Sequence, residues 1–517
     1  MFDAAYDGLV ALFEPATFGL MIVGIIIGLV VGLLPGLGGI TAMVLMLPFT
    51  FDMSPTQAFA FLLGMFVVTS NAGELTSILF GVPGEGTTAA TILDGHPMAK
   101  KGEAGRAMGG SLMSSAIGAF VGAGVLALAL PIVRPLVLSF GAPELFALTI
   151  LGVTFIASLS GGSLTRSVLM GGLGFVLSTV GASPQTGVFR YTFDVPYMLD
   201  GIQLVPVALG LFAIPEIMDL AVRRSSIAEV DVGKVGGVMQ GVRDTFTHIG
   251  LVSRAAALSA FIGLIPGLGS AAAQWLSYAH AVQTSPRKEE FGTGRIEGVL
   301  APGASANAKE GGALIPTIAF GVPGSLAMSI LLGAFIIVGL VPGPRMLSTN
   351  LDVTFSMVWI LVIANLISIV FLFLLLGQLV RLTKVKGLIL VPIILVLVWL
   401  GAFSNSSNFG DLVLLVVAGA AGYAMVALDW PRPPLVLGLV LGSLADKNLG
   451  IAHQRYGYDF FMDPTVMVIF GLAIASLVYA LIQNARIAKA KAAASPPQGP
   501  DASGDPSGQP SQGAPHA

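Results

Sequence analysis

GLLPGLG, from Gly32 to Gly38, is written a second time as GLIPGLG, from Gly263 to Gly269. Three further landmarks follow it in the same order in both places. Ser54-Pro55 returns as Ser285-Pro286, Asn71-Ala-Gly-Glu74 as Asn307-Ala-Lys-Glu310, and FGVPG (Phe80 to Gly84) as Phe320 to Gly324. The shift drifts only from 231 to 240 positions, as a few loop residues inserted in the second copy would produce. Four landmarks in one order at nearly one spacing divide the 517-residue chain into two related halves.

Charged residues make up 10% of the chain and apolar residues 55%, and the mean hydropathy is +0.88. A soluble domain carries about 25% charged residues. Apolar runs approaching or reaching the roughly 20 residues of a membrane span recur at Phe18 to Leu34, Met108 to Leu130, Leu145 to Leu159, Met357 to Leu376 and Val466 to Leu481. The expected fold is an all-α polytopic membrane protein with about 10–14 membrane segments. The 66 glycines and 31 prolines are too many for plain spanning helices and point to broken helices and re-entrant hairpins. There is no cysteine, which excludes disulfides, thiolate metal sites and cysteine nucleophiles. Met1 to Glu14 lacks the basic start of a cleaved signal peptide, so the first segment is expected to be retained.

Lys and Arg concentrate on cytoplasmic loops, which orients the chain. Lys100, Lys101 and Arg106 mark one such loop, Arg223, Arg224, Lys234 and Arg243 a second, and Arg287, Lys288 and Arg295 a third. Arg381, Lys384 and Lys386 mark a fourth, and Arg486, Lys489 and Lys491 place the C-terminus in the cytoplasm. The stretches Ala182 to Asp200, Pro342 to Asp352, Ser404 to Asp411 and Ala445 to Asp463 then fall outside. The expected organisation is a short periplasmic N-terminus (1–15), a first membrane repeat (16–221) and a cytoplasmic linker (222–248). A second repeat with a final helix (249–484) and a disordered Pro/Gly/Ser-rich cytoplasmic tail (485–517) complete it. Ser54 stands beside no basic residue while Ser285-Pro286 opens the run Arg287-Lys288, so the two repeats are expected to cross the membrane in opposite senses.

The repeated elements carry the candidate site. Pro35, Gly36 and Gly38, and in the second half Pro266, Gly267 and Gly269, interrupt apolar runs, as do Pro83 and Pro323 in the FGVPG pair. Proline removes an amide donor and glycine accepts backbone angles other residues resist. Inside lipid such breaks are tolerated only where the freed groups face protein or a wet cavity. Inverted repeats with broken helices are the pattern of secondary transporters, whose half-helix ends bind anion and coupling ion near the midplane. A single Pro-Gly pair would be read as a packing kink; repetition in register favours the site.

Asn71, Glu74, Asn307 and Glu310 are polar groups between apolar stretches and are the candidate coupling-ion residues. Asn oxygens suit Na+, and a buried Glu can hold a proton. Lys309 breaks the symmetry, since it aligns with Gly73; it pairs with Glu310 or meets a substrate carboxylate. Gly84, Thr87 and Thr88 after the first break, and Gly324 and Ser325 after the second, offer amides and hydroxyls to a carboxylate, although packing explains the hydroxyls equally well. The run Gly81 to Thr88 has the look of a phosphate-binding loop, but Thr87 stands where lysine is required and no strand precedes it. His96, His248, His280 and His453 show no metal-ligand spacing.

At these doubled landmarks, and in GVPGEGTTAATILDGHP from Gly81 to Pro97, the sequence resembles the large permease subunit of the tripartite tricarboxylate transporters, the TctA family. The resemblance spans roughly Gly19 to Gln483. It implies a bacterial inner-membrane carrier of di- or tricarboxylates or related organic acids, driven by Na+ or H+ and without another cofactor. It also implies a small membrane subunit of about four helices and a periplasmic substrate-binding protein as partners, and no nucleic acid. Of the other classes, a channel would use the broken helices as a filter, and an enzyme would need clustered catalytic residues that the sequence does not supply.

Overall fold

The computed structural model describes residues 1–33, 38–85, 87–159, 164–222, 236–266, 269–382 and 387–494. The break residues Pro35, Gly36 and Gly267, most of the linker (223–235) and the tail from 495 onward lie outside the described residues. What is described is almost entirely helical, with one two-residue antiparallel pairing, Gly181–Ala182 against Phe189–Arg190. Six helices are long and apolar enough to cross a membrane, and six shorter apolar helices stand among them. The chain is an all-α, multi-pass membrane protein.

The first half opens with α1 (Phe2–Leu12), α2 (Pro15–Gly32), α3 (Gly38–Met46), α4 (Pro55–Phe80) and α5 (Ala89–Lys100). α1 occupies most of the expected N-terminal segment (1–15). The long α6 (Ala104–Leu138) follows, with α7 (Ala142–Leu159) and α8 (Leu164–Ser178). A single rod from Leu204 to Val222 then comprises α9 (Leu204–Ala208), a π-turn (Leu209–Ala213) and α10 (Ile214–Val222). The expected linker contains a helix of its own, α11 (Val238–Thr247), bent 79° from α12 (Ile249–Gly263). α11 is held to α6 by the Arg106–Asp244 ion pair at 2.6 Å and by the Thr245 hydroxyl on Gly110 O. The second half continues with α13 (Gly269–Thr284), α14 (Glu297–Phe320), α15 (Leu326–Ile337) and α16 (Leu351–Leu382). α17 (Gly387–Ser406), α18 (Phe409–Ala427), α19 (Pro433–Tyr456) and α20 (Pro464–Ala494) complete it. The last helix runs ten residues past the point where composition placed the start of the tail.

Glycines at helical spacing set the packing. Gly24, Gly28 and Gly32 of α2 lie against the backbone of Phe61, Met65 and Thr69 of α4, a constant offset that makes the two helices parallel. Gly118 and Gly122 of α6 lie likewise on Ala304 and Ala308 of α14, so α6 and α14 are parallel. Ser115 and Ser111 of α6 bond Asn71 and Glu74 of α4 in descending order, so α6 and α4 are antiparallel. It follows that α4 and α14 run in opposite directions. Small residues at these spacings let backbones touch, the usual basis of helix association where lipid removes the hydrophobic drive.

Both breaks are built alike. α4 and α14 end on Gly81 and Gly321, in the left-handed region at φ 67° and 66°. The chain then doubles back, so that Gly84 packs on Gly73 and Gly324 on Ala313, in each case the position eleven residues earlier. A hydroxyl seven residues earlier fixes each turn: Gly84 N–H donates to Ser77 Oγ (3.4 Å) and Gly324 N–H to Thr317 Oγ1 (3.2 Å). The short helices α5 and α15 thus begin level with the middle of α4 and α14, and each meets the other half, α5 on α13 and α15 on α3.

Bulk at the α6–α14 contact has nowhere to go, since a Cβ on Gly122 would lie 2.6 Å from Ala308 O, whereas one on Gly124 meets nothing within 4 Å. Gly122→Leu is expected to destabilise the detergent-solubilised protein by about 3 kcal/mol or to prevent its accumulation, the upper range for overpacking. Gly124→Leu is expected to leave the thermal midpoint nearly unchanged, as read by fluorescence-detected melting.

Candidate functional site

The repeated asparagines meet. Asn71 on α4 and Asn307 on α14 are 0% and 1% exposed, and Asn307 Nδ2 donates to Asn71 Oδ1 at 3.0 Å. Ser115 of α6 closes a triangle, donating to Asn71 Oδ1 (2.8 Å) and accepting from Asn307 Nδ2 (2.8 Å). Both amide protons of Asn307 are used, and Asn71 spends a proton on Ser368 Oγ of α16 (2.8 Å). Positions 236 residues apart in sequence therefore form one junction on three crossing helices.

Glu74 lies one turn beyond Asn71 and is fully buried. Its carboxylate accepts from Gln274 Nε2 of α13 (2.7 Å) and from Ser111 Oγ (3.3 Å). Its counterpart Glu310 faces Lys309, with Nζ 3.8 Å from Oε1, both side chains at 2% exposure or less. That distance is an ion pair without a hydrogen bond. Lys309 Nζ, Asn307 Oδ1, Ser305 Oγ and both amide atoms of Asn365 are buried with no hydrogen-bond partner among the described residues. Leaving such a group unsatisfied costs about 1–3 kcal/mol; of these, Asn307 Oδ1 belongs to the junction itself, and Asn365 precedes Ser368 by one turn on α16.

The candidate substrate donors are engaged within the chain. Thr87 donates to the Glu85 carboxylate, and Thr88 Oγ1, fully buried, donates to Glu85 O (3.1 Å) and accepts from Ser77 (2.7 Å). Ser325 caps α15, accepting from Met328 N–H at 3.3 Å. The Gly84 and Gly324 amides bind Ser77 and Thr317, and Pro83 and Pro323 shape the two turns they precede. These groups reach an anion only by exchanging partners. Gly38, at φ 54°, starts α3, while Pro266 closes the turn after α12 and Gly269 starts α13. The other break residues of that pair lie outside the described residues.

Sequence reasoning passed over Glu85, which ties the first half's two breaks together. Its carboxylate accepts from Ser70 Oγ (2.7 Å), from Thr87, and from Gly39 N–H (3.4 Å) at the start of α3. The signal was a lone charge inside a helix break, where Ser325 stands in the other half. Ser115, Gln274, Asn365 and Ser368 were also missed, because single polar residues in apolar helices give no local pattern. A small apolar cavity lies between the halves, lined by Ile40, Phe212, Leu326, Ser329 and Pro433.

Opposed helices, each ending at a Gly-capped break and meeting at a buried polar junction, characterise this multi-pass membrane protein. The tripartite tricarboxylate transporter TctA family model matches residues 18–437, and the chain belongs to that family. It is 32% identical over 482 residues to the "Uncharacterized 52.8 kDa protein in TAR-I ttuC' 3'region" of Agrobacterium vitis, covering 93% of this chain and 96% of the relative. It is also 29% identical over 228 residues to the "Uncharacterized protein in TAR-II ttuC' 3'region" of the same organism, 44% of this chain and 94% of the relative. No solved structure matches the chain at a significant level.

Because Asn71 and Asn307 share one hydrogen bond and one serine, their effects are expected to be non-additive. The double Asn71→Ala, Asn307→Ala variant should lose at least about 0.5–1 kcal/mol less than the two single losses summed. Denaturation midpoints of the four proteins in one detergent check this; simple additivity would mean that the two residues act apart.

Proposed function

We propose that the chain is the large membrane subunit of a secondary transporter that imports di- or tricarboxylates or related organic acids. It lies in a bacterial inner membrane with its C-terminus in the cytoplasm. A small membrane subunit of about four helices accompanies it, a periplasmic binding protein delivers the substrate, and a Na+ or H+ gradient drives uptake. The observation that carries this reading is the meeting of Asn71 and Asn307 on oppositely directed helices, each followed by the same Gly-capped break. Opposed, equivalent elements supply two mirror-related arrangements of one site, which is what alternating access requires. They support inverted repeats. The burial of Asn71, Glu74, Asn307, Lys309 and Glu310 to 1% exposure or less favours an occluding carrier over an open channel.

The residues fit either coupling ion. Asn307 Oδ1 and Asn365 Oδ1, on the two helices that hydrogen-bond with Asn71, are buried neutral oxygens with no hydrogen-bond partner among the described residues, ligands of the hard type Na+ takes. Bound there, a cation would supply positive charge that holds a substrate anion in the low-dielectric interior. For a proton, Glu74 and Glu310 are the buried holders, with Lys309 beside Glu310. Among the described residues Lys309 is the full cation buried beside the junction, and each helix N-terminus adds only about half a charge. A di- or trianion is therefore under-compensated unless a cation binds with it, which is the physical reason to couple the two.

The reading has two consequences. In this cysteine-free chain, Lys100→Cys and Ser348→Cys are expected to react with an impermeant thiol reagent from opposite faces of the membrane, and reaction from one face would overturn the inverted arrangement. Proteoliposomes with the small subunit should take up micromolar substrate only with binding protein and an imposed cation gradient, without ATP. Asn71→Ala and Asn307→Ala should weaken the ion dependence, and Glu74→Gln should flatten the pH profile if protons couple. Robust uptake driven by ATP would refute the secondary-transporter reading.

A further inference from the structure

Asp94 is a fully buried carboxylate on α5 that the site above does not use. Its Oδ1 accepts three backbone N–H groups, from Gly292 (2.9 Å), Gly294 (2.8 Å) and Arg295 (2.8 Å), and its Oδ2 accepts the Tyr278 hydroxyl (2.9 Å). The three amides belong to the loop between α13 and α14, which curls around the carboxylate because Gly292 and Gly294 adopt φ of 81° and 108°. A second tie lies alongside: Lys101 Nζ donates to Thr293 O at 2.6 Å. The loop is stiffened from behind by Arg295, which pairs with Glu290 and with Glu297 (2.6 Å). The contact joins the first half to the second.

Neither partner has a counterpart in the other half. Asp94 aligns with Ala334 by the shift that relates the two FGVPG breaks. The loop that grips it is where the second copy is longer, since Ser54-Pro55 leads directly into α4 while Ser285-Pro286 is separated from α14 by the gripping segment. The equivalent junction of α3 with α15 is apolar, lined by Ile40, Leu326 and Ile330. Symmetry alone would give the two junctions one chemistry, so the clasp is an added feature of one end.

What lies behind it gives its use. One turn along α5 from Asp94 is Thr91, and one turn along α13 from Tyr278 is Gln274; both are fully buried, and Gln274 donates to Glu74. Thr91 stands against the Glu74 carboxylate, and Gln274 Oε1 has no hydrogen-bond partner among the described residues. A polar seam therefore runs from the central carboxylate to the clasp, and the clasp is its plug. We propose that Asp94 is a positioning residue that latches α5 to the loop 292–295 and so closes one end of the central site. Release of this latch, with Tyr278 leaving the carboxylate, opens the seam between α5 and α13 to that face. The inference rests on the transporter reading for its purpose, but the latch itself can be tested without substrate.

The test uses the absence of native cysteine. A reporter Thr91→Cys is placed on α5 one turn behind the latch, and a control Ser329→Cys at the α3–α15 junction, both on residues at 2% exposure or less. Asp94→Ala, which installs the other half's residue, is expected to raise the rate of Thr91→Cys alkylation more than about tenfold, the change that loss of one or two charge-assisted bonds gives. Asp94→Asn and Tyr278→Phe should give smaller increases, and the control should stay unchanged or slow. Lys101→Met removes only the exposed tie and keeps the question answerable if Asp94→Ala fails to accumulate; it should raise the rate severalfold. Unchanged alkylation of Thr91→Cys in the variants that accumulate, or equal acceleration at both reporters, overturns the latch. Neither result bears on whether gradient-driven uptake occurs, so the two readings fail separately.

Discussion

The rest of the structure depends on the backbone contact that lets α6 lie between α4 and α14. Gly118 and Gly122 bring α6 onto α14 at carbonyl distance, and Ser111 and Ser115 face α4 from the same helix. Without that approach the two asparagines, carried on helices that contact each other only sparingly, would not share a hydrogen bond. In lipid, an unpaired amide has no water to turn to, so the triangle of Asn71, Ser115 and Asn307 fixes how the halves register. Small residues and polar groups act together here: the first permit the distance and the second make it specific.

The breaks follow the same logic. A left-handed glycine ends each long helix, and a hydroxyl from its last turns takes the amide that the break frees. The satisfied turn makes the break stable in an apolar surrounding. Glu85 shows the alternative solution, in which the chain's own carboxylate takes the amide at the start of α3.

The halves are alike in outline and different in charge. Lys309 has no counterpart beside Glu74, Glu85 has none beside Ser325, and Asp94 has none beside Ala334. Two of these differences concern the central site and one the end of the molecule. A pair of equal halves would sit evenly between two arrangements, and unequal charges bias that balance toward one.

Much of this was legible in the residues. Composition and apolar runs gave the membrane class, and the doubled landmarks gave the two halves and picked out Asn71, Glu74, Asn307, Lys309 and Glu310, because a polar group inside an apolar run is costly wherever it ends up. The linker was read without its helix: α11 has no span-length apolar run to announce it, and it is held in place by α6 through Arg106–Asp244. Only the tertiary structure decided which polar groups meet. Ser115, Ser368, Gln274 and the Asp94 clasp come from helices far apart in sequence, and an isolated serine in an apolar helix looks the same whether it faces lipid, a neighbour or a site. Hydrogen bonds at 2.7–3.0 Å across helix contacts depend on register and rotation, which helix periodicity does not encode and close backbone packing does.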